Sequence, residues 1–241
     1  MNFYCLSILI IFINFGAYNS AIAQKDSSFQ NTSFNFIRES FQIEEGGSSH
    51  LYTGKEYYGY AKNIKGDQFF LTSAMESNTI FYDGSLYENI PLLFDIVSQE
   101  VIINRYHQDL RISLLSEKVK YFTLAGHRFE NINTAQKDGK ISDGIYDEVY
   151  KGTTNVLVKR SKRIVNAIRT DESAKFVEED ELFIQNGNAF YPVSGSSSLL
   201  QALSDKKDQV KIFIRKNKFK FKKNMEKEVI LAAAYYTTLK T

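Results

Sequence analysis

Three histidines are the residues of this chain best placed to exchange a proton near neutral pH, and they stand far apart, at His50, His107 and His127. His107 leads into Gln108 and Asp109 at the end of an apolar run, so it could supply half of a metal site or of a proton relay. Local sequence places it, like His127, in a solvated turn. A hydrolase would need His107 or His127 to meet a carboxylate in a cleft, which only folding can arrange. The spacings of zinc peptidases, nucleophile elbows and phosphate-binding loops do not occur.

Carboxylates gather twice, at Asp143, Asp147 and Glu148 and again at Glu178-Glu179-Asp180-Glu181. A glycosidase needs two carboxyls facing each other across its substrate at a set distance, and neighbours on a loop tip are ordinarily just solvated. The stretch from Asp138 to Val149 has the outline of a calcium loop but not its chemistry. Its third position is Lys140 and its twelfth is Val149, where oxygen ligands are required. Two successive turns are expected there. The single cysteine, Cys5, lies near the amino terminus, so the rest of the chain has no disulfide, thiolate nucleophile or thiolate metal ligand. No cofactor or metal motif emerges.

Cations gather twice as well. Lys159-Arg160-Ser161-Lys162-Arg163 places four in five residues. From Lys206 to Lys227 ten lysines and arginines meet only Asp208 and Glu226, a local charge of +8 in a chain whose net charge is +2. Lys211, Arg215, Lys216, Lys218, Lys220, Lys222 and Lys223 therefore form the candidate binding surface, suited to an acidic protein face or an anionic membrane. The bland alternative is a solvated helix face whose lysine stems cover the edge of the core.

The elements that carry these groups are mostly strands. Residues 79–106 read as four strands in immediate succession, 79–82, 85–90, 92–97 and 101–106. Asp83-Gly84 suits a tight hairpin, and connections this short force antiparallel pairing. Strands 92–97 and 101–106 are apolar on both faces, which requires cover on both sides, by the chain itself or by a ligand. Further strands are expected at 34–44, 51–61, 68–72, 111–115, 118–124, 128–132, 145–150, 155–160, 163–168, 175–177, 182–185 and 189–193. Gly126-His127 and Asn186-Gly187 are the expected turns of two of these hairpins. After Val193 the apolar period lengthens to three and four, predicting a helix from Leu199 capped by Ser196, Ser197 or Ser198. A break at Ser204-Asp205 and a last helix capped by Asn224 follow.

The expected fold is thus mainly β with C-terminal helices. A large antiparallel meander over 24–195 (an open curved sheet, half-barrel or sandwich) is followed by a helical unit over 196–241 packing on the same domain. Composition agrees, with 43% hydrophobic residues, Phe 19, Tyr 15 and Pro 2. Residues 1–23 read as a signal peptide, with the apolar run 6–15 and Ala21-Ile22-Ala23 before Gln24, although no lysine or arginine precedes the run. Export to the periplasm or beyond, with no transmembrane helix in the mature chain, is the expectation. Nucleic acid is not expected as a partner.

The run Y-D-G-x-L-Y-x-N-I-x-L-x-F-D-I from Tyr82, the run S-E-K-V-K-Y-F-x-L from Ser116, and the ending with F-Y-P-V, S-L-L-x-x-L, D-K-K and F-I-R-K-N-K resemble uncharacterised exported proteins of the Bacteroidetes type. The resemblance implies an envelope address and one continuous domain, and no chemistry. Three functional expectations stand. The leading one is a non-catalytic binding protein for an apolar or lipid-like ligand, by analogy with lipoprotein-carrier half-barrels. The second is an interaction module docking through the basic C-terminal segment. The third is a hydrolase.

Overall fold

The computed structural model describes residues 50–105, 110–133, 141–167 and 173–240. The chain divides into two units, Met1–Glu44 and Glu45–Thr241, and everything described belongs to the second. The expected signal segment, the strand at 34–44, the residues His107 and Asp109 and the turn around Lys140 lie outside the described residues.

Eleven strands form one antiparallel sheet. They are β1 (Gly54–Glu56), β2 (Glu76–Tyr82), β3 (Ser85–Asp95), β4 (Glu100–Asn104), β5 (Arg111–Leu114), β6 (Val119–Leu124), β7 (His127–Ile132), β8 (Gly144–Tyr150), β9 (Thr154–Lys159), β12 (Glu181–Asn186) and β13 (Ala189–Val193). Their order is β1-β5-β4-β3-β2-β6-β7-β8-β9-β12-β13, two meanders running outward from the β2–β6 seam. The sheet is open, with β1 and β13 as its edges. A separate ribbon, β10 (Lys162–Val165) and β11 (Lys175–Glu178), interrupts the path from β9 to β12.

Turn chemistry sets the registers. Asp83 and Gly84 take φ of 49° and 81°, so Tyr82 pairs with Ser85 across the expected two-residue hairpin. The β6–β7 turn is Ala125-Gly126 (φ 50° and 79°), one residue earlier than the expected Gly126-His127. His127 is therefore the first paired residue of β7, opposite Leu124. The β12–β13 turn lies one residue later than expected. Asn186 pairs with Ala189, leaving Gly187 (φ 60°) and Asn188 as the loop.

The two strands expected at 85–90 and 92–97 are the single 11-residue strand β3. A register shift between Asn78 and Ile80, with Asn89 at φ 59°, bends it without ending it. Pro91 is tolerated because β4 pairs with β3 only from Leu92 onward. The tyrosine-rich 51–61 stretch contributes only β1 to the sheet, and the strand expected at 68–72 reduces to one bridge, Phe69 to Asp95.

Alternation sends the central strands' side chains to two buried faces. On one face Ile80, Leu92, Phe94, Ile103, Phe122 and Phe129 are fully buried. The Phe122 and Phe129 rings stack at 4.8 Å, and Phe94 meets them edge-on at 5.3 and 5.2 Å. On the other face Leu93 and Ile102 pack beneath Phe69, with Tyr57 and Met75 at the margin.

Three helices follow, α1 (Ser196–Ala202), α2 (Lys207–Lys216) and α3 (Phe221–Thr238), with a short 3-10 turn at Ser204–Lys206 marking the expected break. α1 starts three residues before the expected Leu199. Ser198 Oγ accepts the Ser194 and Gly195 amides at 3.0 and 3.2 Å, so a serine secures this end from inside the first turn. α3 starts three residues before the expected cap, Asn224, where non-helical φ and ψ of −139° and 50° kink it. Leu199, Leu203, Val210, Ile214, Val229 and Tyr236 bury against Val156, Ile184 and Val193 of the sheet. Each such side chain, fully buried, contributes about 1.5–3 kcal/mol. Ala232 and Ala233 are fully buried, and their small size lets α3 approach the sheet closely.

Candidate functional site

Among the described residues a concentrated group of charges lies in the interior, where β7, β8 and the end of β9 meet α3. Asp147 is fully buried on β8. Its Oδ2 accepts from Arg160 Nε at 2.9 Å and Nη2 at 2.7 Å, and lies 2.9 Å from His127 Nδ1. Arg160 also donates to Asp180 at 2.8 Å and to both Glu226 carboxylate oxygens at 2.8 and 3.1 Å. One guanidinium thus serves three carboxylates and fastens α3 and the β11–β12 loop to the sheet. The Phe70 ring sits 5.6 Å beneath the guanidinium carbon and meets the His127 ring edge-on at 5.0 Å.

The electrostatics of this group run in two directions. Burial raises the Asp147 carboxyl above its ordinary range, against the opposing pull of Arg160 and His127. Burial also works against the Arg160 charge, but Glu226, Asp180 and Asp147 outweigh it and hold the guanidinium more firmly protonated than usual. Asp147 Oδ1 is buried with no hydrogen-bond partner among the described residues.

Folding does bring a histidine to a carboxylate, as the hydrolytic expectation required of His127. The described residues do not supply the rest of a nucleophilic relay. Among the described residues no serine, threonine or tyrosine hydroxyl hydrogen-bonds to His127, and Asp147 is engaged by Arg160. His50 lies elsewhere, beside Asp83 at 3.2 Å. Among the described residues no three histidine, aspartate or glutamate side chains gather as a metal site would need. Asp143 and Glu148 do not join the Asp147 group, and Glu148 instead pairs with Lys151 at 3.2 Å.

The first cationic cluster is consumed by the same region. Besides Arg160, Lys162 donates to the Phe69 and Asp67 carbonyls at 2.6 and 3.1 Å, and Arg163 pairs with Glu179. Lys159 donates to Ser142 Oγ at 2.7 Å. The acidic run 178–181 is the counterpart of this cluster, through Glu179 and Asp180.

The second cluster meets the opposite fate. α2 turns Val210 and Ile214 inward, which leaves Lys211, Arg215 and Lys216 exposed. Lys218, at φ 52°, closes α2, and the Phe219 amide reaches back to the Ile214 carbonyl. Lys220, Lys222 and Lys223 are exposed around the start of α3. Among the described residues none of these seven cations has an ion pair. Of the nearby acids Glu226 is drawn to Arg160 and Glu228 to the Lys220 amide at 3.1 Å, while Asp208 stays exposed in the first turn of α2.

Sequence reasoning missed the Arg160 group as a unit. Its members come from β7, β8, the end of β9, a loop and α3, and no spacing rule links them. The one local sign is a charged residue on an otherwise apolar strand face, Asp147 in line with Ile145.

Among the described residues no helix is long and apolar enough to cross a membrane. The chain matches no protein-family model, no curated protein and no solved structure.

Proposed function

We propose that this protein is a non-catalytic docking module that binds an anionic partner through the corner formed by α2, its connector and α3. The observation that carries the reading is the contrast between the two cationic clusters. In the first Arg160, Lys162 and Arg163 each face a carboxylate, whereas Lys211, Arg215, Lys216, Lys218, Lys220, Lys222 and Lys223 remain exposed without a counter-ion among the described residues. Lys220, Lys222 and Lys223 also stand around the first turn of α3, ahead of the kink at Asn224, where lysine opposes the helix dipole and the Glu228 carboxylate on the Lys220 amide offsets it in part. A surface arranged against the fold's own electrostatics supports a role in binding.

The docking reading draws more support than the apolar-ligand one. The double-faced apolar strands are covered by the chain's own Phe69, Phe122 and Phe129. Export belongs to the proposal through residues 1–23, and an amino terminus at Gln24 in protein from its own host would support it.

Converting Lys216, Lys218, Lys220 and Lys222 to glutamate tests the reading. The wild type should be retained on immobilised heparin, used as a model polyanion, and the variant should pass through with an unchanged circular dichroism spectrum. Equal retention of both would remove the proposal.

A further inference from the structure

We propose that the partner of the basic corner is the surface of an anionic phospholipid bilayer, an inference that rests on the docking reading above. Of the seven exposed cations only Arg215 is an arginine. Lysine ammonium groups are hydrated point charges suited to a diffuse field of phosphates. Protein interfaces prefer the planar arginine fork and are depleted in lysine. Clusters of four to eight cations beside apolar groups are the usual mark of anionic-lipid recognition.

The apolar groups are present. Ile212 is 65% exposed on the outer side of α2, and helical spacing puts it next to Arg215 and Lys216. Leu231 is 42% exposed on α3, one turn from Lys227. The connector alternates Lys218, Phe219, Lys220, Phe221 and Lys222. Its two half-buried rings lie 5.8 Å apart, and Phe219 meets Phe213 at 5.5 Å. Such a corner can hold its ammonium groups at the phosphate level while Ile212 and the ring edges reach the acyl boundary. A purely electrostatic partner would gain nothing from Ile212.

Co-sedimentation of the full chain with vesicles tests the inference, using equal parts phosphatidylglycerol and phosphatidylcholine against phosphatidylcholine alone. Binding should require the anionic lipid and fade as salt is raised. Each removed cation should weaken it about fivefold, so the four-lysine reversal should weaken it by more than about a hundredfold. Ile212→Ser should weaken vesicle binding about fivefold while leaving heparin retention unchanged. Ile212 is exposed, so this variant keeps the fold. Lysine-dependent heparin retention without preference for anionic vesicles would overturn the lipid inference and leave the docking reading standing. Unchanged vesicle affinity of Ile212→Ser would also overturn it, since the bilayer would then be one polyanion among others. Retention on neither support would overturn both.

Discussion

Replacing Arg160 with methionine should be among the most damaging single changes available in this chain. The arginine donates five hydrogen bonds to Asp147, Asp180 and Glu226, and Asp147 is fully buried. Without it Asp147 keeps only His127, and Glu226 loses the ion pair that holds α3 to the sheet. Removing one partner from a buried pair costs about 3–5 kcal/mol, most of it from the stranded charge. For a chain of this size the melting temperature should fall by about 6–20 °C. Urea titration followed by circular dichroism would measure the loss, and limited proteolysis would show α3 released first. The loss should shrink at lower pH, because protonated carboxyls need no counter-charge. A second variant, Arg160→Met with Asp147→Leu, should recover much of the stability, because two apolar side chains can replace a buried pair. A loss under about 1 kcal/mol, the range of an exposed ion pair, would refute the reasoning. So would a double variant no more stable than the single one.

Asp147 makes a separate prediction about pH. Its folded pKa lies above the unfolded value, so the fold favours its protonated form. That contribution is complete below the unfolded value, about 3.9, and is lost as pH rises through the folded one. The wild type should therefore lose stability relative to Asp147→Asn as pH rises from about 4, and parallel denaturation curves across that range would contradict the raised value. Leu93 tests whether the chain itself covers the second face of β3. Leu93→Ala should cost about 2–5 kcal/mol in urea titration of lipid-free protein, because Phe69 and Ile102 cannot refill the space. A cost below about 1 kcal/mol would mean that something other than this packing covers the face.

Much of the fold was legible because it is written in local rules. Asp83-Gly84 marks a two-residue hairpin wherever it stands between apolar runs, and it forms one here. The change of period after Val193 announced the helices. Errors arose where a local rule admits two answers. Ala125 adopts a left-handed conformation that sequence assigns more readily to glycine or asparagine, so local rules put the turn one residue late. Asn186-Gly187 is a favoured turn pair, but Asn186 is held in the β12–β13 ladder and Gly187-Asn188 turns instead. Ile90-Pro91 resembles a strand end until the ladder shows that β4 begins only after it.

By itself the sequence determined the class of fold, the two apolar faces of the central strands and the existence of two cationic clusters. These depend on residue type and on spacing along the chain. Only the tertiary structure decided what covers those faces and which cluster stays free. Lys159–Arg163 and Lys211–Lys223 look alike as strings of charge. The first lies where a β-strand end meets Asp147, Asp180, Glu179 and Glu226, so Arg160 is neutralised inside the fold and Arg163 by a pair at its surface. The second lies on an outer helical corner where Glu226 and Glu228 are engaged elsewhere and Asp208 is the acid that stays exposed beside ten cations. Charge pairing depends on distance in space as 1/r, and separations in space between residues tens of positions apart exist only once the sheet and helices have packed.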